Sequence, residues 1–268
     1  MTWNCTHYVA NSGELSRTPA NLLVQIAHMP HAILTSSGNF LFRYRNALFP
    51  FACILLFLPG PDPFPDFLQA AAVGTVIAAI GQLIRAGTIG LRYVIRGGRN
   101  KRVYAEDLVT DGIYAHVRNP MYVGNLLIMI GLGIASNSWA TLAVAVPLGL
   151  FMYASIVAAE EEYLRQRFGA AFDAYCRDVP RWIPRLSGLG TTLASMQFRW
   201  KRVAAKEYGT PFGWISILVL MVFYNLWMSG QWDARHDVVE SLQRVLLIAA
   251  ILWTLAFTLK RARVLVAD

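Results

Sequence analysis

The sequence predicts an all-α, polytopic integral membrane protein of about six transmembrane helices, and three observations carry that prediction. Hydrophobic residues make up 56% of the 268-residue chain and charged residues only 15%, a balance too apolar for an ordinary soluble domain. The apolar residues come in long blocks separated by charged ones, which argues against one large soluble α/β domain. The basic residues of the connecting segments also fall almost entirely on one side of an alternating topology.

A bilayer span takes about 20 mostly apolar residues. Six segments qualify, at about 44–60, 67–91, 120–136, 139–159, 211–229 and 240–259. The first is short and flanked by prolines. The second carries Arg85 near its far end, where the side chain is expected to snorkel. With the N-terminus in the cytoplasm, the outer loops are "PGPDPFPDF", "SNS" and "SGQWDARHDVVE", and Arg235 is their one basic residue. Arg43, Arg45, the runs from Arg92 to Arg118 and from Arg165 to Lys206, and Lys260, Arg261 and Arg263 then lie inside. Both termini are expected on the cytoplasmic side.

The formal charge of +8 reads as basic loops facing anionic lipid headgroups rather than as a nucleic-acid surface. Cys5, Cys53 and Cys176 match neither a metal spacing nor a disulfide framework. No basic region leads into an apolar core at the N-terminus, so no cleavable signal peptide is expected. Residues 1–43 read as a cytoplasmic arm whose brief run "NLLVQIAHMPHAIL" suits the membrane surface. His28 and His31 lack companion ligands there, and no metal site is expected. After Ala159, Leu164, Phe168, Phe172 and Tyr175 recur at helical spacing between charges. This predicts an amphipathic helix at the membrane surface, ended by Pro180 and Pro184, with Trp182 as an interfacial anchor.

The chemistry concentrates in "DGIYAHVRNPMYVGN", residues 111–125. Asn119 followed by Pro120 is a helix-start signal, because Asn favours the cap and Pro the first turn. From Met121 to Ala159 no Asp, Glu, Lys or Arg occurs, so the third and fourth spans form a hairpin turning at Ser136–Ser138. Its arms, roughly 25–30 Å each at 1.5 Å per residue, bring Arg118, Asn119 and Tyr122 to face Glu160 and Glu161. The acids Glu160 to Glu162 would sit at a helix C-terminus, disfavoured by about 0.3–1 kcal/mol each, while the third span offers free N–H groups at its start. Two readings stand. A zwitterionic ligand places its carboxylate on the helix start and Arg118 and its ammonium on Glu160 or Glu161, or Arg118 simply pairs with Glu161 to close the hairpin.

These stretches resemble the isoprenylcysteine carboxyl methyltransferase and phospholipid methyltransferase superfamily. The matching positions are Leu108-Val109-Thr110, Gly112, Tyr114, Arg118-Asn119-Pro120, Tyr122 and Gly124 before the hairpin. After it come Glu160-Glu161, Leu164, Phe168-Gly169, Phe172, Tyr175, Val179-Pro180-Arg181 and Ile183-Pro184. The resemblance covers about residues 70–185 and implies an integral-membrane methyltransferase using S-adenosyl-L-methionine. It implies a cytoplasmic cofactor pocket lined by Glu106, Asp107, Leu108, Val109, Tyr114, Asn119, Pro120, Met121, Tyr122 and Glu160. Tyr114 and Tyr122 suit stacking on adenine or a cation–π contact with the sulfonium. The candidates for catalysis are His116, Arg118 and Glu161, with His116 equally readable as a solvated loop residue.

Two positions depart from the family pattern. Asn119 stands where the family usually carries His, and Ile156 stands where isoprenylcysteine enzymes carry an arginine associated with substrate. Without that arginine an uncharged acceptor is expected: a thiol, an amine or a neutral apolar molecule, small or lipophilic and reached from membrane lipid. A carboxylate remains open if Arg118 or Arg165 swings in. The alternatives are an isoprenylcysteine carboxyl O-methyltransferase proper, or a non-catalytic membrane binding or assembly protein. The expected organisation is an arm (1–43), a methyltransferase core (44–185) and a basic linker with a two-helix membrane extension (186–268).

Overall fold

The computed structural model describes residues 31–92 and 105–265. Every regular element among them is helical. In order these are α1 (His31–Ile54), a 3-10 turn (Leu55–Phe57), α2 (Phe67–Leu91), a 3-10 turn (Gly112–Ala115), α3 (Pro120–Ala135), α4 (Trp139–Phe168), α5 (Ala170–Asp178), α6 (Leu189–Ser195), α7 (Trp200–Glu207), α8 (Gly209–Met228) and α9 (His236–Arg261). The all-α, polytopic membrane architecture is what the chain adopts. Most of the N-terminal arm, with Cys5 and His28, lies outside the described residues, and so does the basic run from 93 to 104.

Among the described residues, five segments are long and apolar enough to cross a membrane: Ile33–Phe57, α2, α4, α8 and α9. The sixth expected span is shorter. α3 has 16 residues, roughly 24 Å at 1.5 Å per residue, against a hydrocarbon core of about 30 Å. The first helix already exists at His31 rather than near 44, because Thr35, Ser36, Ser37 and Asn39 are polar without being helix breakers. The helix expected to end at 159 continues to Phe168. Charge alone does not stop a helix, whereas Gly169, with φ +53°, does. Glu160 to Glu162 therefore lie inside α4, and the expected penalty from a helix C-terminus does not apply to them.

The chain divides into two compact units, one of residues up to 50, 94–120 and 147–195, the other of 51–93, 121–146 and 196–268. The divisions within α1 and α4 fall at Pro50 and Pro147, each of which removes a ladder hydrogen bond.

In the first unit, α1 lies against the second half of α4. A Cβ on Gly38 would stand 1.9 Å from the Ser155 carbonyl oxygen, and the Phe49 and Tyr153 rings are 5.1 Å apart. The amphipathic stripe expected at the membrane surface is instead packed inside the protein. Phe172, Tyr175, Cys176 and Val179 are buried together, with Leu108, Leu164 and Phe168 against them. Tyr175 also donates from its hydroxyl to the Tyr114 carbonyl at 2.7 Å.

In the second unit, α2 and α3 meet through glycines seven residues apart on each helix. A Cβ on Gly74 would stand 2.3 Å from the Gly131 carbonyl oxygen, and one on Gly81 2.5 Å from that of Gly124. Lipid gives no hydrophobic drive between helices, so close backbone approach through small residues replaces it. Trp214 and Met221 of α8 join Ala78, Ile128 and Leu132 in one cluster, and Val239 of α9 joins Phe67, Ala71, Val222 and Leu226 in another. The α3–α4 turn is closed by Asn137, with φ 52°, whose amide accepts from Phe64 N at 3.0 Å and donates to Phe64 O at 3.1 Å. Arg85 does not snorkel. Its half-buried guanidinium is held against Glu207 of α7, Nε to Oε1 at 2.6 Å and Nη2 to Oε2 at 2.8 Å.

Candidate functional site

The site begins where α3 begins. Pro120 opens the helix, as the Asn-Pro pair predicts, and the preceding residues belong to a buried corner of the first unit. The Arg118 backbone N–H donates to the Pro180 carbonyl at 2.9 Å, pinning the motif to the chain beyond α5. Asn119 is buried, and its side-chain N–H donates to Glu161 Oε1 at 3.3 Å and to the Arg181 carbonyl at 3.4 Å.

Glu161 is the centre of this corner. Only 4% of its side chain is exposed, and two guanidinium groups converge on it. Arg181 grips it with two bonds, Nε to Oε1 at 3.2 Å and Nη2 to Oε2 at 2.5 Å. Arg118 Nη1 stands 3.4 Å from Oε1 and also contacts the Cys176 sulfur. A buried carboxylate persists only when paired and hydrogen-bonded, and the two arginines and Asn119 supply that. The structure thus contains the ion pair that closes the hairpin, and Arg181 makes it tighter than Arg118 does. Arg181 had no role assigned in the sequence. The signal was present in the Val-Pro-Arg match, where Arg181 is one of the positions shared with the family pattern.

His116 is buried, so the solvated-loop reading of it does not hold. Nδ1 lies 2.9 Å from the Arg185 carbonyl oxygen and Nε2 lies 2.9 Å from the Thr192 hydroxyl. A neutral imidazole satisfies both, since only an N–H can meet the carbonyl and the other nitrogen then accepts from the hydroxyl. The His116 carbonyl also accepts from Arg185 N at 2.9 Å. His116 thereby straps residues 185–192 onto the motif, and α6 packs on the 3-10 turn that carries Tyr114.

The other expected positions divide by exposure. Tyr114, Asn119, Pro120, Tyr122 and Glu160 are buried, Leu108, Val109 and Met121 half-buried, and Glu106 and Asp107 exposed. The Glu106 carbonyl accepts from Arg167 Nη2 at 3.3 Å. Tyr114, Asn119, Pro120 and Glu160 share the first unit with Glu161, while Met121 and Tyr122 form the first turn of α3 in the second unit. Ile156 is 1% exposed. Arg165 is paired with Glu162 at 3.3 Å and Asp173 at 3.0 Å.

The family model of phospholipid methyltransferases matches residues 66–171, which takes in α2, α3, α4 and the motif between them. Among curated proteins, the cobalt-zinc-cadmium resistance protein CzcN of Cupriavidus metallidurans is 34% identical over 123 residues, covering 46% of this chain and 51% of that protein. The protein-S-isoprenylcysteine O-methyltransferase of Schizosaccharomyces pombe is 33% identical over 135 residues, covering 45% and 55%. The chain thus spans about half the length of these two relatives. Protein-S-isoprenylcysteine O-methyltransferase A of Arabidopsis thaliana is 31% identical over 158 residues, covering 55% of this chain and 77% of that protein. No solved structure matches the chain. The membrane helices, the matched motifs and this coverage lead to one conclusion: the chain belongs to the isoprenylcysteine carboxyl methyltransferase and phospholipid methyltransferase superfamily.

Proposed function

We propose that this protein is an S-adenosyl-L-methionine-dependent membrane methyltransferase acting on a small or lipophilic acceptor, with its site on the cytoplasmic side. The observation that carries the reading is the clasp of Asn119, Arg118 and Arg181 on Glu161. It holds Asn119, the residue before Pro120, against Glu161 of α4, next to Glu160. A zwitterionic cofactor would place its ammonium on the Glu160 carboxylate. Glu160 fits the cofactor's amino-acid end, and the buried ring of Tyr114 fits its adenine or sulfonium.

When bound, the cofactor supplies a methyl carbon made electrophilic by a sulfonium, which an acceptor displaces in line. The protein's task is positioning and exclusion of water. Glu161, Arg118 and Arg181 are assigned to positioning, because the Glu161 oxygens already accept from Arg118, Arg181 and Asn119. His116 joins them as the residue that closes the 185–192 strap over the motif, rather than as a base.

Two structural facts favour an uncharged acceptor. Ile156 is packed in the protein where a substrate arginine would stand. The two arginines able to replace it are committed, Arg118 to Glu161 and Cys176 and Arg165 to Glu162 and Asp173. Burying a carboxylate without a partner costs several kcal/mol, so a thiol, an amine that sheds its proton, or a neutral apolar molecule is the acceptor class. Calorimetric binding of S-adenosylmethionine to protein in nanodiscs, followed by labelled methyl incorporation across an acceptor panel, tests the proposal. Absence of binding would refute it in favour of a non-catalytic scaffold.

A further inference from the structure

Ionisable residues inside an apolar helix bundle are energetically expensive and mark function more often than packing. The second unit contains one such cluster away from the site, centred on Arg85 of α2 and Glu207 of α7. Glu207 is 2% exposed, and its carboxylate meets Arg85 through both oxygens. Gln82 Nε2 donates to Glu207 Oε1 at 3.0 Å, and Trp214 Nε1 of α8 donates to Gln82 Oε1 at 3.1 Å. Arg85 Nη2 also reaches the Thr210 hydroxyl at 3.2 Å. The remaining terminal nitrogen, Nη1, donates to Asn125 Oδ1 of α3.

The members of this cluster come from two different parts of the chain. Arg85, Gln82 and Asn125 fall within residues 66–171, the stretch that the family model matches, whereas Glu207, Thr210 and Trp214 lie beyond it. Asn125 stands one helical turn beyond Met121 and Tyr122 on α3, at the i, i+4 and i, i+3 positions that share a face. The Arg85 stem crosses α3 at Gly124, where an added Cβ would stand 2.5 Å from Arg85 Cγ. The guanidinium is therefore held from one side by the C-terminal extension and braces the first turns of α3 from the other.

We propose that Glu207 is a positioning residue for the cofactor site: the C-terminal extension fixes Arg85, and Arg85 in turn fixes the register of the α3 N-terminal turns through Asn125. The inference rests on the assignment of Met121 and Tyr122 to cofactor binding that the family resemblance implies. It gives α7 and the start of α8 a role in the reaction. An ordinary packing role for the extension would need only the apolar contacts of Trp214, Met221, Val222 and Leu226.

The test uses full-length protein in nanodiscs with Glu207→Gln, Asn125→Ala and the double variant, and Glu240→Gln as control. Glu240 carries a comparable charge on α9, but its pair with Arg244 is exposed. S-adenosylmethionine affinity should fall at least fivefold in each single variant, the lower end of usual coupling between sites. The double variant should be no weaker than the worse single, because both break one chain of contacts. Hydrogen exchange of the peptide spanning 119–126 should quicken in both variants and stay unchanged in the control. Wild-type affinity in a folded Glu207→Gln variant, or additive losses in the double, would overturn the proposal. If Glu207→Gln does not fold, Asn125→Ala alone decides, since it leaves the ion pair intact. If the wild type binds no cofactor, the functional assignment fails by itself, and exchange at 119–126 still decides whether Glu207 braces α3.

Discussion

Replacing Glu161 with Gln separates a positioning carboxylate from a catalytic one. In the folded protein this side chain accepts two bonds from Arg181, faces Arg118 at 3.4 Å and receives one bond from Asn119 at 3.3 Å. Glutamine keeps the shape and one acceptor oxygen but turns an N–H₂ toward guanidinium donors. Breaking a buried pair by altering one partner costs about 3–5 kcal/mol. The Arg181 side chain is 37% exposed and can rehydrate, so part of that cost is screened; about 2–3 kcal/mol remains. At 2–4 °C per kcal/mol for a chain of this size, the thermal midpoint should fall by about 5–10 °C.

The consequences for function follow from the same contacts. Asn119 and Arg118 lose their shared anchor, the start of α3 loosens, and S-adenosylmethionine affinity falls by about tenfold. That is one charge-assisted hydrogen bond's worth, about 1.5 kcal/mol. At saturating cofactor, turnover should remain within a few fold of wild type. Thermal shift in detergent, calorimetry and turnover at saturation measure the three quantities on one preparation. A general base contributes 10²–10⁴-fold. Turnover lost to that degree at saturating cofactor, with the thermal midpoint unchanged, would show that Glu161 moves a proton and that the positioning assignment is wrong.

Further predictions follow from single contacts. His116→Ala should free residues 185–192, seen as faster proteolysis there, with little loss of turnover; a loss of 10²-fold or more with the strap still protected would make His116 the base. Gly131→Val should prevent folding, because a Cβ there would stand 2.4 Å from the Gly74 carbonyl oxygen, whereas Gly87→Ala, with nothing within 4 Å, should be neutral or stabilising by about 0.5–1 kcal/mol. Cysteines at the exposed positions Asp62 and Asp233 should label from the outer face and one at Lys201 from the inner; the reverse pattern would invert the topology. Arg165→Gln should leave the acceptor range unchanged, and efficient methylation of a farnesylcysteine carboxylate by the wild type would refute the uncharged-acceptor assignment.

How far the sequence led can be judged residue by residue. The apolar blocks identified the helical membrane class, and the Asn119-Pro120 pair placed the start of α3 correctly. The spacing of the hairpin anticipated that Arg118 and Asn119 meet Glu161. What failed were two local inferences. Three consecutive glutamates looked like the end of a span, but helices end where the backbone ends them, and Gly169 does so nine residues after Glu160. The stripe of Leu164, Phe168, Phe172 and Tyr175 looked like a lipid-facing surface, because periodicity shows that a face is buried and not what buries it. Leu108, contributed from beyond the hairpin, is its partner, and no local pattern announces a contact made over so long a separation.

Arg85 shows the same limit from the other direction. A lone arginine near the end of an apolar span has two solutions, to snorkel to water or to find an acid, and local sequence cannot choose between them. Glu207 lies far along the chain in a segment read as a basic linker, and its single negative charge was hidden among Arg199, Lys201, Arg202 and Lys206. The solution adopted follows from how membrane helices associate. Once glycines bring α2 and α3 into backbone contact, the Arg85 stem crosses α3 at Gly124 and its guanidinium is held within the protein. Desolvated there, it requires a carboxylate in reach. Glu161 obeys the same rule with the signs exchanged, an acid within an apolar helix that requires arginines. Each buried charge thus specifies a distant partner, and with it the register of the helices that carry them. The two ion-pair knots should accordingly be intolerant of single charge removal and more tolerant of replacement as whole units by apolar side chains of matched volume.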